Sequence, residues 1–289
     1  MTHNGPPASE PVPPGLSRRD AAGAPSARGL LFTLLGEFVL PGGGTAWTSA
    51  VIAAFARLGV AEKAARQALM RTAADGWLAA EKDGRRTRWH LAAAARRLLT
   101  DGAERIYSFT PGAENWDGRW LLVAVRVPDG DRSARHAVRT RLNWAGFGSL
   151  SPCLWISAHP EREAEAARVL RDAGLASDAH LFVATRSGLA DAGRMVRAAW
   201  DLAAIEREYE RFIAEFSGPE PGDVLARQIA LVHSWRRFPA IDPALPAALL
   251  PPRWSGLEAA RLFTARHERW SGGAQLEWKR LNDQPPPLR

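Results

Sequence analysis

An α+β fold is what this sequence predicts, on three observations. Residues 26–91 read as three helices followed by a strand, a tight turn and a strand. Residues 121–184 alternate apolar strand patterns with amphipathic helices. The chain after Asp191 is helical apart from one proline-dense segment. In the first part, Ser26 is a helix N-cap, and Leu30, Leu31, Leu34, Leu35 and Val39 make an apolar stripe at helical spacing. Pro41-Gly42-Gly43-Gly44 breaks that helix. Trp47 to Leu58 supplies a second helix, with Trp47, Val51, Ile52 and Phe55 inward, and Gly59 turns the chain into a third. On this third helix Lys63, Arg66, Gln67, Met70 and Arg71 share one face, while Ala61, Ala65, Ala68, Leu69 and Thr72 lie away from it. Gly76-Trp77 ends the helix. Trp77–Ala80 and Arg88–Leu91 then pair around the turn signal Asp83-Gly84.

Three helices and a hairpin in this order make a winged helix-turn-helix, assigned to residues 26–110. Its chemistry points to DNA. Lys63, Arg66, Gln67 and Arg71 are the expected contacts on the third helix, with Arg66, Gln67 and Arg71 at base edges; Arg85, Arg86 and Arg88 sit at a hairpin tip that suits phosphates or a minor groove. The plain alternative is a solvated helix face and a charged surface turn.

Charge is distributed to match. The whole chain carries a formal +7, yet residues 26–105 hold 12 Lys/Arg against 7 Asp/Glu, and the remainder after Arg105 holds 24 against 22. A basic module on a near-neutral body fits a nucleic-acid reader better than a generally cationic protein. The single cysteine, Cys153, excludes an internal disulfide and a cysteine-rich metal site; before an apolar strand it reads as a buried structural thiol. No apolar run approaches the ~18 residues of a membrane span. Residues 1–25, rich in Pro, Gly and Ala, read as a disordered tail without a secretory signal, so the expected compartment is the cytoplasm.

Residues 116–190 form the middle domain. Trp116-Asp117-Gly118-Arg119-Trp120 leads into the strand Leu121–Val127. A helix over Asp131–Ala145, strands at Phe147–Leu150 and Cys153–Ser157, a helix over Glu161–Ala173 and a strand at Leu181–Ala184 follow. That order is the ferredoxin-like plan. The Trp116/Trp120 pair is expected to pin the winged helix to this domain, and an exposed sheet edge or face in such a domain commonly pairs with a copy of itself. Residues 191–289 form a helical domain with helices at Ala199–Phe216, Asp223–Phe238 and Ala259–Leu281. The proline-dense run His233-Ser234-Trp235-Arg236-Arg237-Phe238-Pro239 through Asp242-Pro243-Ala244-Leu245-Pro246 to Leu249-Leu250-Pro251-Pro252 and Trp254-Ser255-Gly256 reads as a rigid, turn-rich linker with Trp235 packed.

These segments resemble the PaaX family of bacterial repressors. The resemblance is carried by Arg66-Gln67-Ala68-Leu69 with Gly76-Trp77-Leu78, by Trp116-Asp117-Gly118-Arg119-Trp120, and by the proline-dense run ending in Arg261-Leu262-Phe263; it covers about residues 26–270. It implies a Cas2-like middle domain and a homodimeric repressor of phenylacetate or other aromatic catabolism genes, binding double-stranded operator DNA and released by phenylacetyl-CoA or a related acyl-CoA thioester. No cofactor, metal or membrane is expected.

Two rival functions stand beside it. A Cas2-like metal-dependent nuclease would need acidic ligands at the end of the first middle strand, where Asp129 and Asp131 lie, although an Asp in such a turn more often caps a helix. An acyl-CoA-binding enzyme would need a catalytic constellation, and no Ser/His/Asp, Cys/His or paired-carboxylate arrangement stands out; His90, His136, His159, His180, His233 and His267 have no metal-ligand spacing. Arg236 and Arg237 are the candidate effector contacts, since a guanidinium fork binds phosphate; the alternative is that they pair with acids such as Asp242 or Glu258 and lock the linker.

Overall fold

The computed structural model describes residues 26–283 apart from 113, 114, 129, 189, 190, 220 and 221, so the expected N-terminal tail and Asp129 lie outside the described residues. The described residues form two compact units: 26–104 together with 223–233 and 272–283, and 105–222 with 234–271. The segment 191–289, expected as one helical domain, contributes to both.

In the first unit, α1 (Ala27–Leu34) starts where the Ser26 hydroxyl accepts from the Gly29 N–H at 3.0 Å. It widens into a π-helical turn at Leu35–Val39. β1 (Thr45–Trp47) comes next, then α2 (Thr48–Ala56), α3 (Glu62–Ala74), β2 (Leu78–Asp83), β3 (Arg86–Leu91) and α4 (Ala93–Tyr107). The sheet order is β1-β3-β2, antiparallel throughout, which is a winged helix whose wing has gained a third strand. Trp47 therefore differs from the helical expectation. It ends β1, opposite Arg88, because extended backbone there lets β1 satisfy the free edge of β3. The buried Trp89 indole donates to the Thr48 hydroxyl (2.9 Å), which donates in turn to the Thr87 carbonyl (3.1 Å), fixing the wing to the start of α2.

The core of this unit is Leu31, Leu34, Phe38, Phe55, Leu69 and Trp89, and it is completed by residues far along the chain: Leu225, Ile229, Ala274 and Trp278. They belong to α9 (Val224–Trp235) and α11 (Gly256–Asp283). Polar ties accompany them. Buried Gln228 donates to the Glu37 carboxylate at 2.7 Å, and Gln275 to the Glu37 carbonyl at 2.8 Å, within the π-helical turn. Arg57 bridges Asp223 (2.7 Å) and Glu277 (3.1 Å). The Asn282 side-chain amide grips the β1 backbone, accepting from the Trp47 N–H (3.0 Å) and donating to the Thr45 carbonyl (3.1 Å).

The second unit contains β4 (Arg119–Val125), α5 (Arg132–Trp144), β5 (Gly148–Ser151), β6 (Leu154–Ser157), α6 (Glu163–Asp172) and β7 (Ala179–Thr185). Their order β5-β6-β4-β7, all antiparallel, is the ferredoxin-like arrangement. Leu121, Val123 and Val125 of β4 alternate onto the face covered by Leu142 of α5 and Leu170 of α6. Trp120 points to the other face; it meets Trp116 edge-on at 5.2 Å and stacks with Trp200 at 6.5 Å, all three within this unit. Cys153 is exposed, contrary to expectation, because it occupies the turn between β5 and β6 instead of the strand.

Beyond the sheet come α7 (Ala192–Ala199), α8 (Leu202–Phe216), α9 and the short α10 (Phe238–Ile241). The helix expected over Ala199–Phe216 starts at Leu202 instead, where Asp201 caps α8 by accepting from the Ala204 N–H; a separate helix, α7, ends at Ala199. The proline-dense run is a core element as much as a linker: Tyr209 stacks on Phe238 at 4.2 Å and Trp235 on Phe263 at 4.7 Å. Beneath them the Tyr209 hydroxyl donates to the buried Asp242 carboxylate at 2.6 Å, and the Ala244 N–H donates to its other oxygen at 2.7 Å.

Candidate nucleic-acid interface

Helix α3 divides its residues by spacing. Ala65, Ala68, Leu69 and Thr72 are buried, and the small alanines let α3 sit close to its supporting helices. Its outer face carries Glu62, Lys63, Arg66, Gln67, Met70 and Arg71. Lys63, Gln67 and Arg71 are exposed and Arg66 is partly so. The Arg66 guanidinium is already oriented: its Nε and Nη2 lie 2.8 and 2.7 Å from Glu62 Oε1, one turn earlier. Arg71 Nε reaches back to the Gln67 carbonyl at 3.3 Å. At the foot of the helix Asp75 pairs with Arg28 of α1 at 2.5 Å, which fixes the end of α3 against α1.

The hairpin register defines the wing. Asp83 faces Arg86, so the turn consists of Gly84 and Arg85, one residue later than the Asp83-Gly84 signal implied. Gly84 has φ +56° and Arg85 does not have a positive φ, the pattern of a type II′ turn, in which glycine takes the first central position. Arg85 and Arg86 are exposed at the tip. Arg88 is different. It lies inside β3, half-buried, with its guanidinium 4.9 Å above the Trp47 ring. That cation–π contact makes Arg88 a brace for the wing as well as a cation beside it. The winged helix thus brings Lys63, Arg66, Gln67 and Arg71 together on one helical face and Arg85 and Arg86 together at the tip. Met70, on the same face, was visible at the same spacing but carries no charge to draw attention to it.

In the second unit, Arg237 forms an ion pair with Glu208 and lies 5.9 Å from the Phe238 ring. Its partner is an acid other than the two expected, Asp242 and Glu258, and burial lowers its pKa. Arg236 is partly buried beside it. A cleft of about 760 Å³ lies in the same unit, lined by Trp116, Arg119, His159, Glu161 and Pro246 among others. His159 is held at both ring nitrogens, by Glu161 Oε1 (3.0 Å) and the Ala244 carbonyl (2.8 Å). Burial, then the nearby Arg162 charge, holds its pKa below the usual value, against the pull of those two acceptors. Asp131 is a helix cap, accepting from the Ala134 N–H at 2.8 Å. No cluster of three or more metal-ligating side chains occurs among the described residues, and no described helix is long and apolar enough to cross a membrane.

Comparison with known proteins covers most of the chain. Residues 26–95 match the model of PaaX-like proteins, residues 113–196 the PaaX central Cas2-like domain, and residues 200–280 the PaaX-like C-terminal domain. The chain is 32% identical over 260 residues to the transcriptional repressor PaaX of Escherichia coli (strain K12), covering 84% of this chain and 80% of that one. Among solved structures, an uncharacterized protein from Mycobacterium tuberculosis aligns with a TM-score of 0.59 at 22% identity, over 88% of this chain and 98% of that one, a likeness of fold.

Proposed function

Because the chain belongs to the PaaX family of transcriptional regulators, we propose that it is a cytoplasmic, homodimeric repressor, not an enzyme, and that it binds double-stranded operator DNA through α3 and the wing. The observation that carries the DNA reading is the solvent-facing stripe of Lys63, Gln67 and Arg71 with Arg66, next to a hairpin tipped by Arg85 and Arg86. Side chains on the helix can reach base edges in a major groove, and the tip arginines can hold phosphates or enter a minor groove. Arg88 contributes charge to the wing while its guanidinium rests on Trp47.

The regulated genes in this reading are those for phenylacetate or related aromatic catabolism, and the releasing ligand is phenylacetyl-CoA or a similar acyl-CoA thioester. Family membership supports this, and the 760 Å³ cleft of the second unit falls in the size range of small-molecule sites, about 300–1,000 Å³. Arg236 and Arg237 enter this reading only as a second-unit cationic pair; Arg237 would have to exchange Glu208 for a phosphate. Release is a population shift: the ligand binds better to an arrangement in which the two winged helices no longer match the operator half-sites. Linkage then requires operator DNA to weaken ligand binding by the same factor. A gel shift on duplexes selected from a random library tests the DNA reading, with phenylacetyl-CoA, phenylacetate and CoA added separately. Release by the thioester alone is expected; no selected duplex refutes the DNA reading, and release by none of the three, or equally by CoA, refutes the effector.

A further inference from the structure

The recognition face of α3 carries one large apolar side chain that the protein leaves in water. Met70 is 61% exposed, on a helix whose Ala65, Ala68 and Leu69 are almost wholly buried. It continues the stripe Lys63, Arg66, Gln67 at i, i+3, i+4 and i+7 on the same outer face. Left in water, the methionine forgoes roughly 25 cal/mol for each Å² of apolar area that a partner could cover; what sets it apart from other exposed apolar residues is its place among Lys63, Gln67 and Arg71. It has no donor to offer phosphate and only a weak sulfur acceptor. The surrounding Lys63, Arg66 and Arg71, set against the one acid Glu62 that pairs with Arg66, leave this face cationic and complementary to a polyanion, not to a second apolar protein surface.

A DNA major groove offers one apolar group to such a side chain, the C5 methyl of thymine. Methionine suits it: the chain is unbranched, polarisable and free to settle against an irregular surface. Resting on the DNA-binding reading above, we propose that Met70 is a specificity-determining residue that recognises a thymine methyl in the operator. The position follows from the helix. Met70 lies three residues beyond Gln67, a rise of about 4.5 Å, little more than one base-pair step of 3.4 Å. Gln67 has the bidentate amide that reads adenine. The thymine recognised by Met70 therefore lies within about two base pairs of the position at which Gln67 sets the preference.

The test uses the full-length protein and a duplex selected from a random library. Each thymine of the half-site is replaced in turn by deoxyuridine, which removes the methyl and leaves every hydrogen-bonding group in place. Wild type is expected to lose about fourfold in affinity at one position, the worth of one buried methyl group. Met70→Ala is expected to bind the thymine duplex about as weakly as wild type binds the uracil duplex, and to show no further loss on the uracil duplex. Met70 is exposed and alanine is a strong helix former, so the variant should melt at the wild-type temperature. Gln67→Ala, scanned against all four bases, locates the neighbouring position. Uracil sensitivity absent at every thymine, or unchanged in Met70→Ala, overturns the proposal while leaving a selected operator intact; failure to select any duplex overturns the DNA-binding reading itself.

Discussion

Replacing Trp278 by alanine should weaken DNA binding from a position on the last described helix. Trp278 is 3% exposed and its ring lies 6.2 Å from that of Phe38, in the core that also holds Leu225, Ile229 and Ala274. Truncating a buried tryptophan costs about 3–5 kcal/mol. A domain's entire stability is about 5–15 kcal/mol. A loss near 4 kcal/mol lowers the folded-to-unfolded ratio about a thousandfold and leaves about 1 kcal/mol for a unit at the low end of that range. Leu276, two residues earlier on α11, is 71% exposed and serves as the control; Leu276→Ala should change stability by no more than about 0.5 kcal/mol. Urea unfolding followed by circular dichroism, with gel shifts on the selected duplex, compares the two. Trp278→Ala should lose affinity for every sequence alike. If it unfolds with the wild-type midpoint and binds normally, or loses no more than Leu276→Ala, the C-terminal contribution to the winged-helix core is refuted.

Three further outcomes are expected. Arg86→Ala and Arg85→Ala, at the exposed tip, should each weaken specific and random duplexes similarly and flatten the slope of log affinity against log salt by about 0.9 for each phosphate no longer neutralised; a slope unchanged in both variants removes the wing from the interface. Arg66→Ala should instead cost about 1–3 kcal/mol on the selected duplex and little on random DNA, and equal losses on both would deny it a base contact. Tyr209→Phe removes the donor to Asp242, a hydrogen bond to a charged group worth about 1.5–3 kcal/mol. Burial raises the Asp242 pKa above 3.8, while Tyr209, the Ala244 N–H and Arg162 pull it back. The native carboxyl thus binds its proton more tightly than the unfolded one, and acidification from neutral favours the fold until the unfolded carboxyl also protonates, near 3.8. The Tyr209→Phe penalty should accordingly shrink as pH falls through the native Asp242 pKa; a penalty constant across a pH series of urea titrations would show that the carboxylate is not what Tyr209 serves.

Local signals were legible in the sequence and distant ones were not. The Ser26 cap, the two faces of α3 and the βαββαβ order each depend on neighbours within a few residues, so spacing and capping rules read them correctly. β1 is illegible because three residues, Thr45 to Trp47, carry no strand pattern; they are extended because β3 has an edge to satisfy. The Gly84-Arg85 turn falls one residue from its signal because Asp83-Gly84 is itself a good turn pair, and only the facing of Asp83 with Arg86 decides between them. The core partners Leu225, Ile229, Ala274 and Trp278 were invisible for a different reason: the tie between Glu37 and Gln228 spans 191 residues, and apolar periodicity on α9 and α11 says that a face is buried without saying where. The partner of Arg237 was hidden likewise, since Glu208 lies on a helix remote in sequence from the proline-dense run.

The dependence of the winged helix on α9 and α11 has a consequence for synthesis. On the ribosome, residues 26–104 emerge with an unfinished core, and Phe38 and its neighbours must wait for Trp278, more than 170 residues later. At about 5–20 residues per second this is a delay on the order of ten seconds or more. A nascent chain therefore cannot seize its operator before most of its body exists. A message cut short after the ferredoxin-like segment would yield a protein unable to hold DNA, not a repressor deaf to its ligand. Selections for permanently repressed mutants should accordingly return missense changes, while stop codons upstream of α11 should collect only among those that have lost repression.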